Sequence, residues 1–220
     1  MVSYGRHWLL DHTLDTLFAN TDPDKFRLIL IDNGSKQPVR DVIAKYTDKI
    51  DDLILFNRNA GKPYAQNIGM SHVYNQCLIL KDEIPNHFIV CDSDLEFKPG
   101  WLEKMTELYH EFEPQKLGCL SGYNHNKIDS TRVVAGKIHW RPYCPGCCMM
   151  FSRQLWEKVG IFDTRMLIRT VDTGYLKRCR VAGYENANVL DTVVDHTGKA
   201  YRTFETSGNP IYFDEEKAVA

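Results

Sequence analysis

The sequence predicts an α/β fold: a single, open, doubly wound and mostly parallel sheet with helices on both faces. Three observations predict it. Short apolar runs recur along the chain, each stopped by turn-forming residues. Stretches with apolar residues at helical spacing lie between those runs. No Pro/Ser-rich linker and no repeat of ~20–50 residues divides the 220 residues, a length that suits one domain. Nearly continuous apolar runs fit strands buried on both faces, as a parallel sheet between two helix layers requires.

The first strand falls in residues 1–4 and must be very short, because Trp8, Leu9, His12, Leu14, Leu17 and Phe18 already space as one helical face. The run at 26–31 is the next strand. It ends at Asp32-Asn33-Gly34-Ser35, which is turn chemistry. Val39, Val42, Ile43 and Tyr46 mark a second helix, and 53–56 a third strand. After Asn59-Ala60-Gly61-Lys62, Pro63 suits a first helical turn, and Ala65, Ile68, Gly69, His72 and Val73 carry that helix on. The run 88–91 is a fourth strand, and Pro99 opens a helix with Trp101, Leu102, Met105 and Leu108. Residues 1–113 thus read β-α-β-α-β-α-β-α, a nucleotide-binding half whose ligands belong at the carboxyl ends of the strands.

The second half, 114–200, is less regular. A strand is expected at 117–120, a long polar excursion at 121–143, a strand at 147–151, helices at 152–159 and 171–182, and a strand with a turn at 184–194. One domain over 1–200 with a tail at 201–220 is the simplest division.

Hydrophobic residues make up 43% and charged residues 25%, ordinary globular values that exclude disordered and low-complexity classes. The formal net charge of −2 gives no footprint for non-specific nucleic-acid binding, though a small basic groove stays open. No apolar run approaches the ~18 residues of a membrane span, and the first residues lack a signal peptide's apolar centre. Seven cysteines, an odd number without secretory context, read as reduced thiols of a cytoplasmic protein, with a peripheral encounter at a membrane surface left open. Cys77, Cys91, Cys119 and Cys179 read as small core residues. Cys144, Cys147 and Cys148 form a C-x2-C-C cluster. Zinc there would need a further ligand such as His139 or Cys119, and thiols lining a pocket are the simpler reading.

The usual nucleotide and hydrolase fingerprints of doubly wound sheets are absent from the sequence. In their place, Asp92-Ser93-Asp94 follows the run 88–91 directly. Two carboxylates this close repel unless a cation lies between them, and a hard divalent ion with oxygen ligands suits them. A helix-capping turn before Pro99 is the plain alternative.

Five segments then occur in an order that resembles the inverting family-2 glycosyltransferases of the GT-A fold. They are FRLILIDNGS (26–35), NAGKPYAQNIG (59–69), FIVCDSDLEFKPG (88–100), GCCMMFSRQLWEKVGIFD (146–163) and DTGYLKRCRVAGY (172–184). The chain departs from the family in having Gly5-Arg6 where Asn-Arg is usual, Val171 in place of Glu before Asp172, and Gly174 in place of a further Asp.

The resemblance implies direct transfer of a hexosyl group, with inversion, from a nucleotide-diphosphate sugar, most simply UDP-linked, to an acceptor hydroxyl. It implies Mn²⁺ or Mg²⁺ held directly by Asp94, with Asp92 at the metal or, more simply, on the ribose or a metal-bound water, and with His196 as third ligand or as a turn histidine. It implies donor contacts from Tyr4, Arg6, Asp32, Asn33, Lys62, Asn67, Ser93 and Gly146. Asp172 would be the general base, or a helix cap, or both. Trp140 and Arg178 would face the acceptor. That acceptor stays open among polysaccharide, lipid, protein, small metabolite and nucleic-acid base. Two other functions compete: a non-catalytic module binding sugar nucleotide or glycan, and a nucleotidyltransferase, for which Tyr4-Gly5-Arg6 is too lean a phosphate loop.

Overall fold

The computed structural model describes residues 1–124, 128–165 and 171–199; the expected tail at 201–220 lies outside them. In chain order the elements are β1 (Val2–Ser3), α1 (His7–Ala19), β2 (Ile29–Asp32), α2 (Gln37–Lys45), β3 (Asp52–Leu55), α3 (Lys62–Leu80), β4 (His87–Cys91), β5 (Leu95–Phe97) and α4 (Trp101–Phe112). There follow β6 (Leu117–Ser121), β7 (Val133–Val134), β8 (Ile138–Arg141), β9 (Cys148–Ser152), α5 (Arg153–Val159), α6 (Val171–Val181), β10 (Glu185–Val189) and β11 (Val194–His196).

The α/β fold is the expected one. Parallel strands β3-β2-β1 meet the six-stranded array β4-β9-β6-β10-β8-β7 through a parallel bridge between Val2 and Asp92. Across these two arrays, among the described residues, only β9 and β8 run against the other strands. Helices cover both faces. Leu10 and Leu14 of α1, Val39 and Val42 of α2, and Met105 and Phe112 of α4 form one core layer with Leu30 and Leu120. On the other face Ala65 and Val73 of α3 pack on Ile29 and Ile31, and Leu155, Tyr175 and Leu176 pack on Met149 and Phe151. Each such side chain taken fully from water contributes about 1.5–3 kcal/mol, which is why the apolar spacing marked these helices.

Two features depart from expectation. Residues 121–143 are not wholly irregular: β7 and β8 form an antiparallel hairpin at the sheet edge. Its turn, Ala135-Gly136, has φ of 53° and 64°, with the Lys137 amide donating to the Val134 carbonyl at 3.0 Å. Positive φ at both central positions matches the twist of paired strands. The second feature is a separate two-stranded sheet, β5 with β11, in which His196 stands opposite Leu95. Strands of three residues are too short for a periodicity to announce them.

Candidate active site

The carboxyl ends of β1, β2 and β4 open into one crevice, and β9 frames it. β9 enters antiparallel beside β4, so the loop before it, with Gly146 and Cys147, lies against Asp92; the Asp92 amide donates to the Cys147 carbonyl at 2.8 Å. Asp92, Asp94 and His196 come together here: one ligand atom from each lies within 4.8 Å of the others, the one such group among the described residues.

Asp94 is buried and fully engaged. Arg6 Nη1 donates to its Oδ2 at 2.8 Å, and His196 Nε2 lies 3.1 Å from Oδ1. Its backbone carbonyl accepts from Thr197 Oγ1 at 2.9 Å. Gly198 packs so closely that a Cβ there would sit 2.0 Å from Asp94 Oδ2. Burial alone would raise the Asp94 pKa; the His196 ring and the Arg6 guanidinium outweigh it and hold the carboxyl at about 2. Arg6 reaches it from a left-handed backbone, φ 50°, at the start of α1. That conformation costs a non-glycine residue about 1–2 kcal/mol, which the ion pair offsets.

Asp92 differs. Burial pushes its pKa up, the Lys62 ammonium opposes this, and the charges of Asp94 and Asp172 add to the rise. Lys62 Nζ meets Asp92 Oδ1 at 2.5 Å from the first turn of α3. Burial works against the Lys62 charge, but Asp92 and Asp172 raise its pKa above the ordinary value. Asp172 therefore belongs to the same charge cluster. It stands in the first turn of α6, and its carboxylate lies against Gly146: a Cβ there would meet Asp172 Cγ at 2.0 Å. Only glycine permits that approach. Asp172 Oδ1 is buried with no hydrogen-bond partner.

The other sequence-predicted residues divide. Tyr4 is exposed and Ser93 buried, both beside the cluster in sequence. Asp32 is buried; its Oδ1 accepts from the Ser35 amide at 3.0 Å, and its Oδ2 lies 3.8 Å from Arg40 Nε without a hydrogen bond. Asn33 and Asn67 are engaged inside the protein. Asn33 bonds Asn59 and the Ala60 amide, and Asn67 bonds the carbonyl and amide of Phe162, each at 2.9 Å. They brace the crevice loops. Trp140 is half-buried and meets Phe112 edge-on at 6.2 Å, on the α4 face of the sheet. Arg178 donates to the Ile161 carbonyl, and its guanidinium lies 5.4 Å from the Tyr175 ring. All seven cysteines are free and buried, and burial pushes the Cys144 and Cys147 thiols well up. Sequence reading did not single out Thr197 or assign Gly198 a role, though both follow His196 directly.

A site built from two carboxylates and an imidazole fits a divalent transition ion such as Mn²⁺. Among the described residues no helix is long and apolar enough to cross a membrane.

The chain is similar over 91% of its length to the mannosyltransferase PcManGT from Pyrobaculum calidifontis, solved with GDP-Man and Mn²⁺, at a TM-score of 0.63 and 17% identity. It is similar over 89% to GalNAc-T7, solved with UDP, GalNAc and Mn²⁺, at 0.67 and 15%, and over 88% to S. aureus TarS, at 0.66 and 12%. It covers 58%, 42% and 35% of those chains respectively. A segment of 60 residues is 37% identical to the validoxylamine A glucosyltransferase of Streptomyces hygroscopicus subsp. limoneus; it is 27% of this chain and 13% of that protein. The chain thus spans little more than half of the longest-matched relative and far less of the others. These neighbours share the GT-A glycosyltransferase fold seen here. The family model described as glycosyl transferase family 2 matches residues 1–160, and the chain belongs to that family.

Proposed function

We propose that the chain is the catalytic domain of a metal-dependent, inverting glycosyltransferase that moves a hexosyl group from a nucleotide-diphosphate sugar to an acceptor hydroxyl. One observation carries this reading. Asp92, Asp94 and His196 offer three metal-ligand atoms within 4.8 Å of one another, and the Asp172 charge reaches the same cluster. Two neighbours, solved with Mn²⁺ and GDP-Man or with Mn²⁺, UDP and GalNAc, support a nucleotide-sugar donor; UDP is our first choice.

Asp94, Asp92 and His196 would hold the cation. Bound there, a divalent ion would neutralise charge on the diphosphate as it leaves. Lys62, at the N-terminus of α3, adds a positive side chain and a positive helix end for phosphate oxygens. Arg6, already on Asp94, keeps that carboxylate ionised and aimed. Asp172 takes the acceptor's proton through Oδ1, the carboxylate oxygen left without a partner. Gly146 makes room for that carboxylate. One attack from the face opposite the leaving group inverts the anomeric centre.

The test is a panel of nucleotide sugars with Mn²⁺, read by thermal shift, because binding to the native state raises the melting temperature by mass action. A shift with one sugar nucleotide that chelator abolishes supports the reading. No shift with any donor removes it.

A further inference from the structure

Among the described residues the open sheet has two edge strands, β3 and β7, and they are guarded differently. β7 has two residues, follows Arg132, and belongs to a hairpin whose turn is followed by Lys137. Short length and flanking cations are ways in which proteins keep an edge from pairing with another chain. β3 has no such guard. Its apolar run Leu53-Ile54-Leu55-Phe56 carries no charge and no proline, and no described strand pairs with its outer side.

The hydrogen bonds to β2 fix what that outer side offers. The Asp52 amide donates to the Leu28 carbonyl at 3.2 Å, and the Phe56 amide to the Asp32 carbonyl at 2.8 Å. Along a parallel ladder alternate residues turn to the same neighbour, so residues 52, 54 and 56 are engaged with β2. The amides and carbonyls of Leu53 and Leu55 point outward. Their side chains share one face of the strand. Leu53 stands beside Leu30, whose side chain packs with Val39 and Val42 of α2. That cover stops short of β3: Leu53 is 39% exposed and Leu55 53%. On the other face Tyr64 is also exposed, its ring 5.8 Å from that of Phe56, and it carries the apolar surface around the edge.

We propose that β3 is the contact through which two copies of this chain pair, antiparallel, about a two-fold axis near Ile54. One register satisfies the strand's own pattern. With Leu53 opposite Leu55 of the second copy, the outward groups of the two leucines exchange hydrogen bonds on both sides of the axis, and each exposed leucine meets a leucine. Charge favours the same arrangement. Asp51, exposed, precedes the strand and Arg58, exposed, follows it. Antiparallel copies therefore bring the acidic start of each strand near the basic end of the other, twice over. The contact is isologous, so it uses up the β3 edge of both copies and assembly stops at two. The two crevices would open at opposite ends of the joined sheet, because the strands run in opposite directions. The inference stands apart from the glycosyl-transfer reading.

The experiment is sedimentation equilibrium of the 220-residue chain over two decades of concentration. An interface built on one strand edge is small, so a reversible dimer is expected: the average mass should climb from that of the monomer toward twice that value. Leu53→Lys with Leu55→Lys alters two exposed side chains and should leave a folded monomer at every concentration, with Tm within a few degrees. Arg58→Glu should weaken the dimer by about 2–20-fold. In the wild type, hydrogen exchange at the Leu53 and Leu55 amides should slow as concentration rises. Where the double variant does not fold, Leu55→Lys alone and the exchange of these two amides carry the test. A wild type that stays monomeric, a species larger than a dimer, a dimer that survives the lysines, or one that leaves the two amides unprotected overturns the proposal.

Discussion

Asp94 and Asp172 are two acids of one crevice, and the chain treats them in opposite ways. Asp94 has a cation or ring on each carboxylate oxygen, a hydroxyl on its carbonyl, and a glycine packed against it. Asp172 also has a glycine against it, yet one of its oxygens is buried with nothing to accept. The chain supplies internal counter-charges where a cation and a diphosphate are proposed to bind. It leaves an acceptor atom free where a hydroxyl is proposed to arrive. On the proposed function, the engaged carboxylate is the binding one and the unengaged one the reacting one.

The largest test of that contrast is Asp172→Asn. It keeps size and polarity but cannot take a proton at neutral pH, so transfer should fall ~10²–10⁴-fold, while donor affinity stays within a few fold by calorimetry. The product's anomeric configuration should be opposite to the donor's. An Asn variant at wild-type rate, or a retained configuration, would move the base elsewhere.

The next test addresses the engaged acid. Removing divalent ions with EDTA, or making Asp94→Ala, should weaken nucleotide-diphosphate binding by on the order of 10²-fold, and Asp92→Ala should cost less. Titration calorimetry with and without Mn²⁺ reads both. Affinity that ignores chelator breaks the assignment of Asp94 to a metal.

The third is a pH dependence of the metal-free protein. The folded Asp94 pKa, about 2, lies below its ordinary value of 3.8. A depressed carboxyl contributes stability that is fully present above the unfolded pKa and lost as pH falls toward the folded one. About 2 kcal/mol is at stake on that shift. Urea unfolding of the wild type and of Asp94→Asn should therefore converge between about pH 4 and pH 2. Parallel curves over that window would mean that Arg6 and His196 do not stabilise the ionised form.

The smallest expected effect is His196→Ala. It should raise the Mn²⁺ concentration needed for half-maximal donor binding by about 10-fold, with Tm within a few degrees. An unchanged Mn²⁺ titration would make His196 a partner of Asp94 and nothing more.

Much of the site was legible because its signals are local. Asp92-Ser93-Asp94 follows a buried run, and Asp172 falls in the first turn of a helix whose apolar face is visible. Asn33 and Asn67 have internal partners that the sequence does not announce. An amide shows no sequence sign of whether it meets a ligand or a loop 95 residues away, as Asn67 meets Phe162. Nor does the sequence announce that the hairpin carrying Trp140 turns the ring edge-on to Phe112.

The sequence by itself determined the α/β class, the order of strands and helices through residue 112 except for the short β5, and the placement of the paired aspartates at a strand end. Hydrophobic spacing and turn chemistry act within a few residues, so they can be read from the chain. Tertiary structure alone decided that β9 enters antiparallel beside β4, bringing Gly146 onto Asp172. It alone decided that β11 pairs with β5, bringing His196 to Asp94 across 102 residues. Strands of two or three residues bury too little to impose a pattern of their own, and their partners are chosen by what the rest of the fold has already brought near.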